Sequence, residues 1–169
     1  MIKSALKSKT LIVKPSAGSE GCGIFLVQQY KDIPPHAFKD HVAQEYIGEP
    51  LLLNGKKFDL RIYVAVTSFE PLSAFVCSEG LVRLCTLDYE KPSKENLHKL
   101  LGHLTNYSLN KLSADYKHAE SLDEENASKQ TLSQVYNTLK ESIPDVEAIL
   151  SAKIADVCAK TLVCFLPFF

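Results

Sequence analysis

The chain has 169 residues, 46% of them hydrophobic, and a formal net charge of −1. That length suits one domain and that composition a sizeable core, while the near-zero charge gives no reason to expect nucleic acid or a membrane surface as a partner. The five cysteines, Cys22, Cys77, Cys85, Cys158 and Cys164, form no CxxC pair and are odd in number, so neither a disulfide framework nor a zinc site is expected, and a reducing compartment is.

Lys3, Lys7 and Lys9 lead only into the short apolar run Leu11 to Val13, which is not the pattern of a signal peptide. Thr10 to Val13 is β-branched and apolar and reads as a strand; Pro15 to Gly23 is a loop of small residues, and Ile24 to Val27 a second strand. Ile33 to Phe38 holds two prolines and reads as a connection. His41 to Ile47 reads as extended and leads to Leu51-Leu52-Leu53, where Asn54-Gly55 signals a hairpin turn. Lys56 to Thr67 is the clearest strand, closed by Glu70-Pro71. Leu72 to Cys77 and Leu81 to Thr86 read as further strands around Ser78-Glu79-Gly80.

From Pro92 to Asn110 the pattern is loop and short helix. Ser113 to Gln130, with Asp123, Glu124 and Glu125 clustered, reads as a solvated loop. Leu132, Val135, Tyr136 and Leu139 fall at helical spacing; Ile143-Pro144-Asp145 stops that helix, and Asp145 is placed to cap the next. That helix carries Val146, Ile149, Leu150, Ile154, Val157 and Cys158 on one face. The apolar stretch from Ile149 to Phe169 is broken by Lys153, Asp156 and Lys160, and the uncharged run after Lys160 is too short to span a bilayer; a helix buried against a missing partner is expected. Strands first and helices later give a mixed α+β class.

Three segments concentrate chemistry. In Lys14-Pro-Ser-Ala-Gly18-Ser-Glu-Gly21-Cys-Gly23, a lysine ends one strand and a glycine-rich loop precedes another. Such a loop lets backbone amides surround phosphate oxygens, with the lysine as a point charge. The absence of Gly-Lys-Ser/Thr and the β-like sequence of Ile24 to Val27 exclude a Walker loop and a Rossmann fingerprint; a flexible hairpin is the plain alternative. In Lys57-Phe-Asp59-Leu-Arg61-Ile-Tyr63-Val64, a period of two puts Lys57, Asp59, Arg61 and Tyr63 on one face and Phe58, Leu60, Ile62 and Val64 on the other. That polar row reads either as a solvent-facing sheet with cross-strand ion pairs or as the floor of a phosphate- and carboxylate-binding site, where Arg61 grips an oxyanion through two hydrogen bonds. The third segment, His103 to Lys111, is dense in polar donors, and a capped turn explains Thr105 and Asn106 equally well. Gln44-Glu45-Tyr46-Ile47 is either an ordinary strand end or the lining of an adenine pocket, with Ile47 or Tyr46 against the ring.

Val13-Lys14-Pro15, Gly21-Cys-Gly23-Ile24, Gln44-Glu-Tyr-Ile47, Lys57 to Val64, Glu79-Gly-Leu-Val-Arg83 and His103-Leu-Thr-Asn-Tyr-Ser-Leu-Asn-Lys111 together resemble, in order and spacing, the tubulin tyrosine ligase-like family. The resemblance covers Leu11 to Lys111, with weaker likeness through the last helix. It implies an ATP-grasp fold and a ligase that phosphorylates a protein carboxylate, after which the amino group of a free amino acid attacks the acyl-phosphate. By that resemblance Lys14 and the Gly21-Cys22-Gly23 loop hold ATP phosphates, Gln44, Glu45, Tyr46 and Ile47 line the adenine, and Lys57, Asp59, Thr105 and Asn106 also lie at the ATP. Arg61, Tyr107, Ser108 and Lys111 position the amino acid, by analogy glutamate, and Lys14 and Arg61 offset the charge of the transferred phosphoryl group. Tubulin and microtubules are the implied partners, in the cytoplasm, the cytoskeleton or a cilium. A glycine or tyrosine ligase, or a non-catalytic nucleotide- or microtubule-binding module, are the alternatives.

Two positions depart from the family pattern. Cys22, beside Glu20, stands where family members usually carry a basic residue. The family's magnesium ligands, an Asp and a Glu-x-Asn, come after the last helix, and this sequence ends at Phe169 before them. A partial domain, truncated at both ends and without metal-dependent turnover of its own, is therefore expected.

Overall fold

The computed structural model describes residues 9–118 and 127–168. The clustered acids Asp123 to Glu125 lie outside the described residues. The fold is mixed α+β with antiparallel strand pairing, and the chain forms two compact units. The first runs to Phe58 and resumes over Leu84–Tyr116; the second holds Asp59–Arg83 and resumes from Lys117.

The first unit is built on β1 (Leu11–Pro15), flanked by β2 (Phe25–Val27) and β3 (His41–Glu45) in the order β2-β1-β3. Central β1 is apolar without interruption from Leu11 to Val13 because both its faces are covered. Leu11 and Val13 join Val27, Ile33 and Ala37 on one side; Ile12 joins Leu26, Tyr46 and Leu104 on the other. Each such aliphatic side chain contributes roughly 1.5–3 kcal/mol on burial. β4 (Leu52–Leu53) turns through Asn54-Gly55 into β5 (Lys56–Arg61), pairing Leu53 with Lys56. Past β8 (Leu81–Leu84), the chain runs through irregular backbone to a short helix, α1 (Tyr107–Asn110).

In the second unit β6 (Val64–Phe69) and β7 (Leu72–Val76) form a hairpin with a register shift between Val66 and Ser68. β8 pairs with β9 (Lys129–Thr131), which leads directly into α2 (Leu132–Leu139) and then α3 (Val146–Phe165). Val82, Leu132, Val135, Tyr136, Leu139 and Val146 are its buried apolar residues. The start of α2 is doubly capped. Thr131 and Gln134 form a reciprocal capping box, and Glu79 Oε1 accepts from the amides of Leu132 at 2.7 Å and Ser133 at 3.3 Å while Oε2 accepts from the Ser133 hydroxyl at 2.6 Å.

Three expectations are corrected. The single strand expected over Lys56 to Thr67 is two, β5 and β6, because the β5 ladder ends at Arg61 and the chain then pairs toward β7, beginning with the Tyr63 carbonyl, which accepts from the Cys77 amide at 2.9 Å. Tyr63 lies past the end of β5, with its ring centre 5.5 Å from the Arg61 guanidinium. The solvated loop expected up to Gln130 ends earlier: Ala127, Ser128 and Gln130 are buried, and Lys129–Thr131 is a strand. Asp145 sits at the N-cap of α3 in a left-handed conformation, φ 57°, and its side chain makes no capping bond. The apolar residues of α3 are only partly covered within the described residues, with Val146 buried, Ile149 exposed and Val157 62% exposed; this does not bear against the expectation of a partner outside them. Among the described residues no helix is long and apolar enough to cross a membrane.

Candidate functional site

Lys14 leaves β1 on the face it shares with Ile12. β1 pairs Lys14 with Val42 and Ile12 with Gln44, so Gln44 is the same-face diagonal neighbour of Lys14. The Lys14 ammonium accordingly donates to Gln44 Oε1 at 3.0 Å. Just beyond, the glycine loop closes an open pocket of about 280 Å³ whose walls include Lys14, Gly18, Glu20, Gly21, Cys22 and Asn106.

Two glycines are required by this geometry. Gly21 has φ +83°, and a Cβ there would stand 3.0 Å from both the Asn106 side chain and Leu109 Cδ1. Gly23 has φ +71°, and a Cβ there would meet Pro15 Cγ at 3.0 Å. The loop is thereby docked on the start of α1, where the Ser108 hydroxyl donates to the Glu20 carbonyl at 2.5 Å. Lys14, Gly21, Cys22 and Asn106 thus share one cavity, and Ser108 holds the loop that forms it. Glu20, next but one to Cys22, lines the same cavity with a carboxylate.

The segment Gln44 to Ile47 divides its roles. Gln44 holds Lys14; Glu45 turns away to pair with Lys9 at 2.7 Å; Tyr46 is buried; Ile47 is 70% exposed. Lys57 Nζ donates to the Tyr46 hydroxyl at 3.0 Å and to the His103 carbonyl at 3.0 Å, and lies 4.3 Å from the centre of the Tyr46 ring. Burial, and then the neighbouring Tyr89, pushes the Tyr46 phenol far up, so it keeps its proton. Burial, and then the adjacent Lys57 charge, pushes the His103 imidazole below its ordinary value, so it stays neutral near pH 7.

Asn110 fixes the α1 end of this unit. Its Oδ1 accepts from the Thr86 amide and hydroxyl, both at 2.8 Å, and its Nδ2 donates to the carbonyls of Leu104 at 2.7 Å and Asn106 at 3.0 Å. Thr105 and Asn106 are half-buried between these anchors. Tyr107 is exposed, with Lys111 Nζ 5.3 Å from its ring centre. Sequence reasoning singled out neither His103 nor Asn110 as individual site-building residues. The polar density of the segment was visible, but which amide faced inward was not.

In the second unit Asp59 does not stand alone. Arg83 grips it bidentately, Nε to Oδ1 at 2.9 Å and Nη2 to Oδ2 at 2.5 Å, and the hydrogen bonds to Asp59 hold the guanidinium above its ordinary value against the opposing effect of burial. Arg61, exposed at the end of β5, lies 5.5 Å from the Tyr63 ring centre. Among the described residues no group of three or more His, Cys, Asp or Glu side chains is gathered to hold a metal ion.

Comparison with known proteins adds the family. The model of the tubulin-tyrosine ligase family matches residues 2–165. Tubulin polyglutamylase TTLL6 of Homo sapiens is 44% identical over 157 residues, 93% of this chain and 17% of that protein. Tubulin polyglutamylase TTLL11 of Homo sapiens is 38% identical over 161 residues, 94% of this chain and 22% of that protein. Tubulin polyglutamylase TTLL7 of Mus musculus is 40% identical over 163 residues, 96% of this chain and 17% of that protein. The chain thus spans about a fifth of the length of the curated relatives it matches.

Proposed function

This chain belongs to the tubulin-tyrosine ligase family, and from that membership we propose that it is part of an ATP-grasp ligase that adds glutamate to carboxylates of tubulin tails. The observation that carries the reading is the single cavity joining Lys14, the Gly21-Cys22 loop and Asn106. A fixed cation, a loop with left-handed glycines and a side-chain amide form a donor set suited to phosphate oxygens. The names of the relatives supply the acceptor and the amino acid: those proteins are tubulin polyglutamylases.

In this reading the γ-phosphoryl group of ATP passes to a tail carboxylate oxygen and ADP leaves. The glutamate amino nitrogen then attacks the acyl carbon, phosphate departs, and the nitrogen gives up a proton. Lys14 offsets charge on the transferred group, a role for a preorganised cation. Lys57 and Tyr46 border the nucleotide, with Gln44 orienting Lys14. Asp59 acts from within its pair with Arg83, and the roles toward the amino acid that the family resemblance implies fall to Tyr107, Ser108 and Lys111 in the first unit and to Arg61 in the second. Magnesium would shield phosphoryl charge, but the described residues gather no donor set for it.

Glu20 in the wall of the same cavity favours a second reading, a nucleotide-binding module without turnover, because a carboxylate there opposes phosphate. The discriminating experiment supplies tubulin, ATP and glutamate, glycine or tyrosine to the protein at its full natural length and weighs the tails by mass spectrometry. The proposal expects glutamate adducts that depend on ATP. Glycine or tyrosine adducts in their place would overturn the choice of amino acid, and unmodified tails with ATP bound would favour the second reading.

A further inference from the structure

His103 is 2% exposed and lies edge-on to two phenol rings, Tyr46 at 5.6 Å and Tyr89 at 5.7 Å between centroids. Its Nδ1 is 3.1 Å from the Tyr46 hydroxyl, and its backbone carbonyl accepts from Lys57, which also donates to that hydroxyl. The three residues close a triangle of hydrogen bonds. Lysine has donors and no acceptor, so the Tyr46 oxygen accepts from Lys57; in the tautomer with the ring proton on Nε2, the Tyr46 hydroxyl donates to Nδ1. In that tautomer Nδ1 is the bare nitrogen of the imidazole, which is the form that positioning through Tyr46 requires.

We propose that His103 is a positioning residue: through the Tyr46 hydroxyl and its own carbonyl it holds the Lys57 ammonium in one orientation for the nucleotide. This rests on the reading of Lys57 as a nucleotide contact. The groups facing the imidazole are Tyr46 after β3, Lys57 on β5, Tyr89 and Glu90 beyond β8, and the Asn96 backbone, which hydrogen-bonds the ring. Asp88 and Lys99 line the pocket that the ring also borders. Glu90 favours the charged ring, but burial and Lys57 outweigh it. A proton added to Nδ1 would remove the acceptor that orients Tyr46 and set a second cation beside Lys57, so acid releases the lysine.

The test uses the purified chain and ATP. H103A and Y46F each weaken ATP binding about tenfold, the loss expected for one hydrogen bond to a charged group. The double substitution H103A/Y46F costs no more than either alone, since both act through one triangle, and H103N, which returns an acceptor near the Nδ1 position, recovers most of the affinity. Additive losses, or H103N as weak as H103A, would overturn the proposal. A second readout needs neither ATP nor a substitution at the buried ring. Nitrogen-15 NMR of the unsubstituted chain at pH 7.5 shows His103 with Nδ1 unprotonated, and a proton on Nδ1 would refute the triangle. If the unsubstituted chain binds no ATP, the nucleotide reading fails on its own. The tautomer still decides the positioning role, as does Lys57 acylation, expected to run about fivefold faster in Y46F once a hydrogen bond is lost.

Discussion

Asn110 shows how one side chain can hold a site it need not touch. Its amide satisfies four backbone or hydroxyl partners at 1% exposure, and N110A would leave several of them buried and unpaired. We expect a loss of about 3 kcal/mol or more, read as a lower midpoint in urea unfolding. Gly21 acts differently, since both its left-handed φ and its approach to Asn106 exclude a side chain. G21A should cost about 1 kcal/mol or more of stability from backbone strain and weaken ATP binding further by displacing the loop, measured by calorimetry on the folded variant. His103 adds a pH dependence. Its folded pKa is lowered, so the unfolded chain takes up its proton first, and the stability contributed by neutral His103 is present above about pH 6.5 and falls away as pH drops toward the folded value. Unfolding midpoints measured between pH 8 and 5 should show that slope, and H103N should flatten it.

The capped start of α2 carries the clearest element-level consequence. The helix is only eight residues long, so it depends on its end contacts and on burial rather than on propensity. T131A should cost about 1 kcal/mol, the usual worth of an N-cap, in thermal or urea unfolding. Burial pushes the Glu79 carboxyl upward, but the Ser133 hydroxyl and the amides of Gly80, Leu132 and Ser133 outweigh it and hold the pKa low. That contribution is therefore present above the unfolded carboxyl value near 4.3 and is lost as pH falls through the lower folded value; E79Q should remove this acid-limb slope. Much of the element order was legible in the residues. The β-branched run of β1, the Asn54-Gly55 turn and the spacing of Leu132, Val135, Tyr136 and Leu139 each mark their element through local chemistry. The break at Ile62-Tyr63 was not legible, because a strand that leaves one sheet and enters another keeps its β propensity throughout. Nor was β9, since Lys129-Gln130-Thr131 is polar and becomes a strand through its pairing with β8. Within the candidate site, the lysine and the glycines announced themselves, whereas the partners Arg83, His103 and Asn110 are fixed by tertiary contacts that no spacing encodes.

Across the whole molecule, the charged motif is shared between the two units, with Lys57 in the first and Asp59 and Arg61 in the second. The first unit alone supplies the cavity of Lys14, Gly21, Cys22 and Asn106, so binding of nucleotide phosphates is the property this chain should display most directly. The exposed apolar side of α3 stands apart from that property: V157K should change unfolding stability by no more than about 0.5 kcal/mol, as a surface substitution does, and leave ATP affinity as it was. The decisive measurement is calorimetric titration of ATP into the purified chain and into K14A. The account predicts saturable binding to the unsubstituted chain and at least about tenfold weaker binding to K14A, the loss of a charge-assisted contact to phosphate. Equal affinity in the two proteins, or no binding to either, would contradict it.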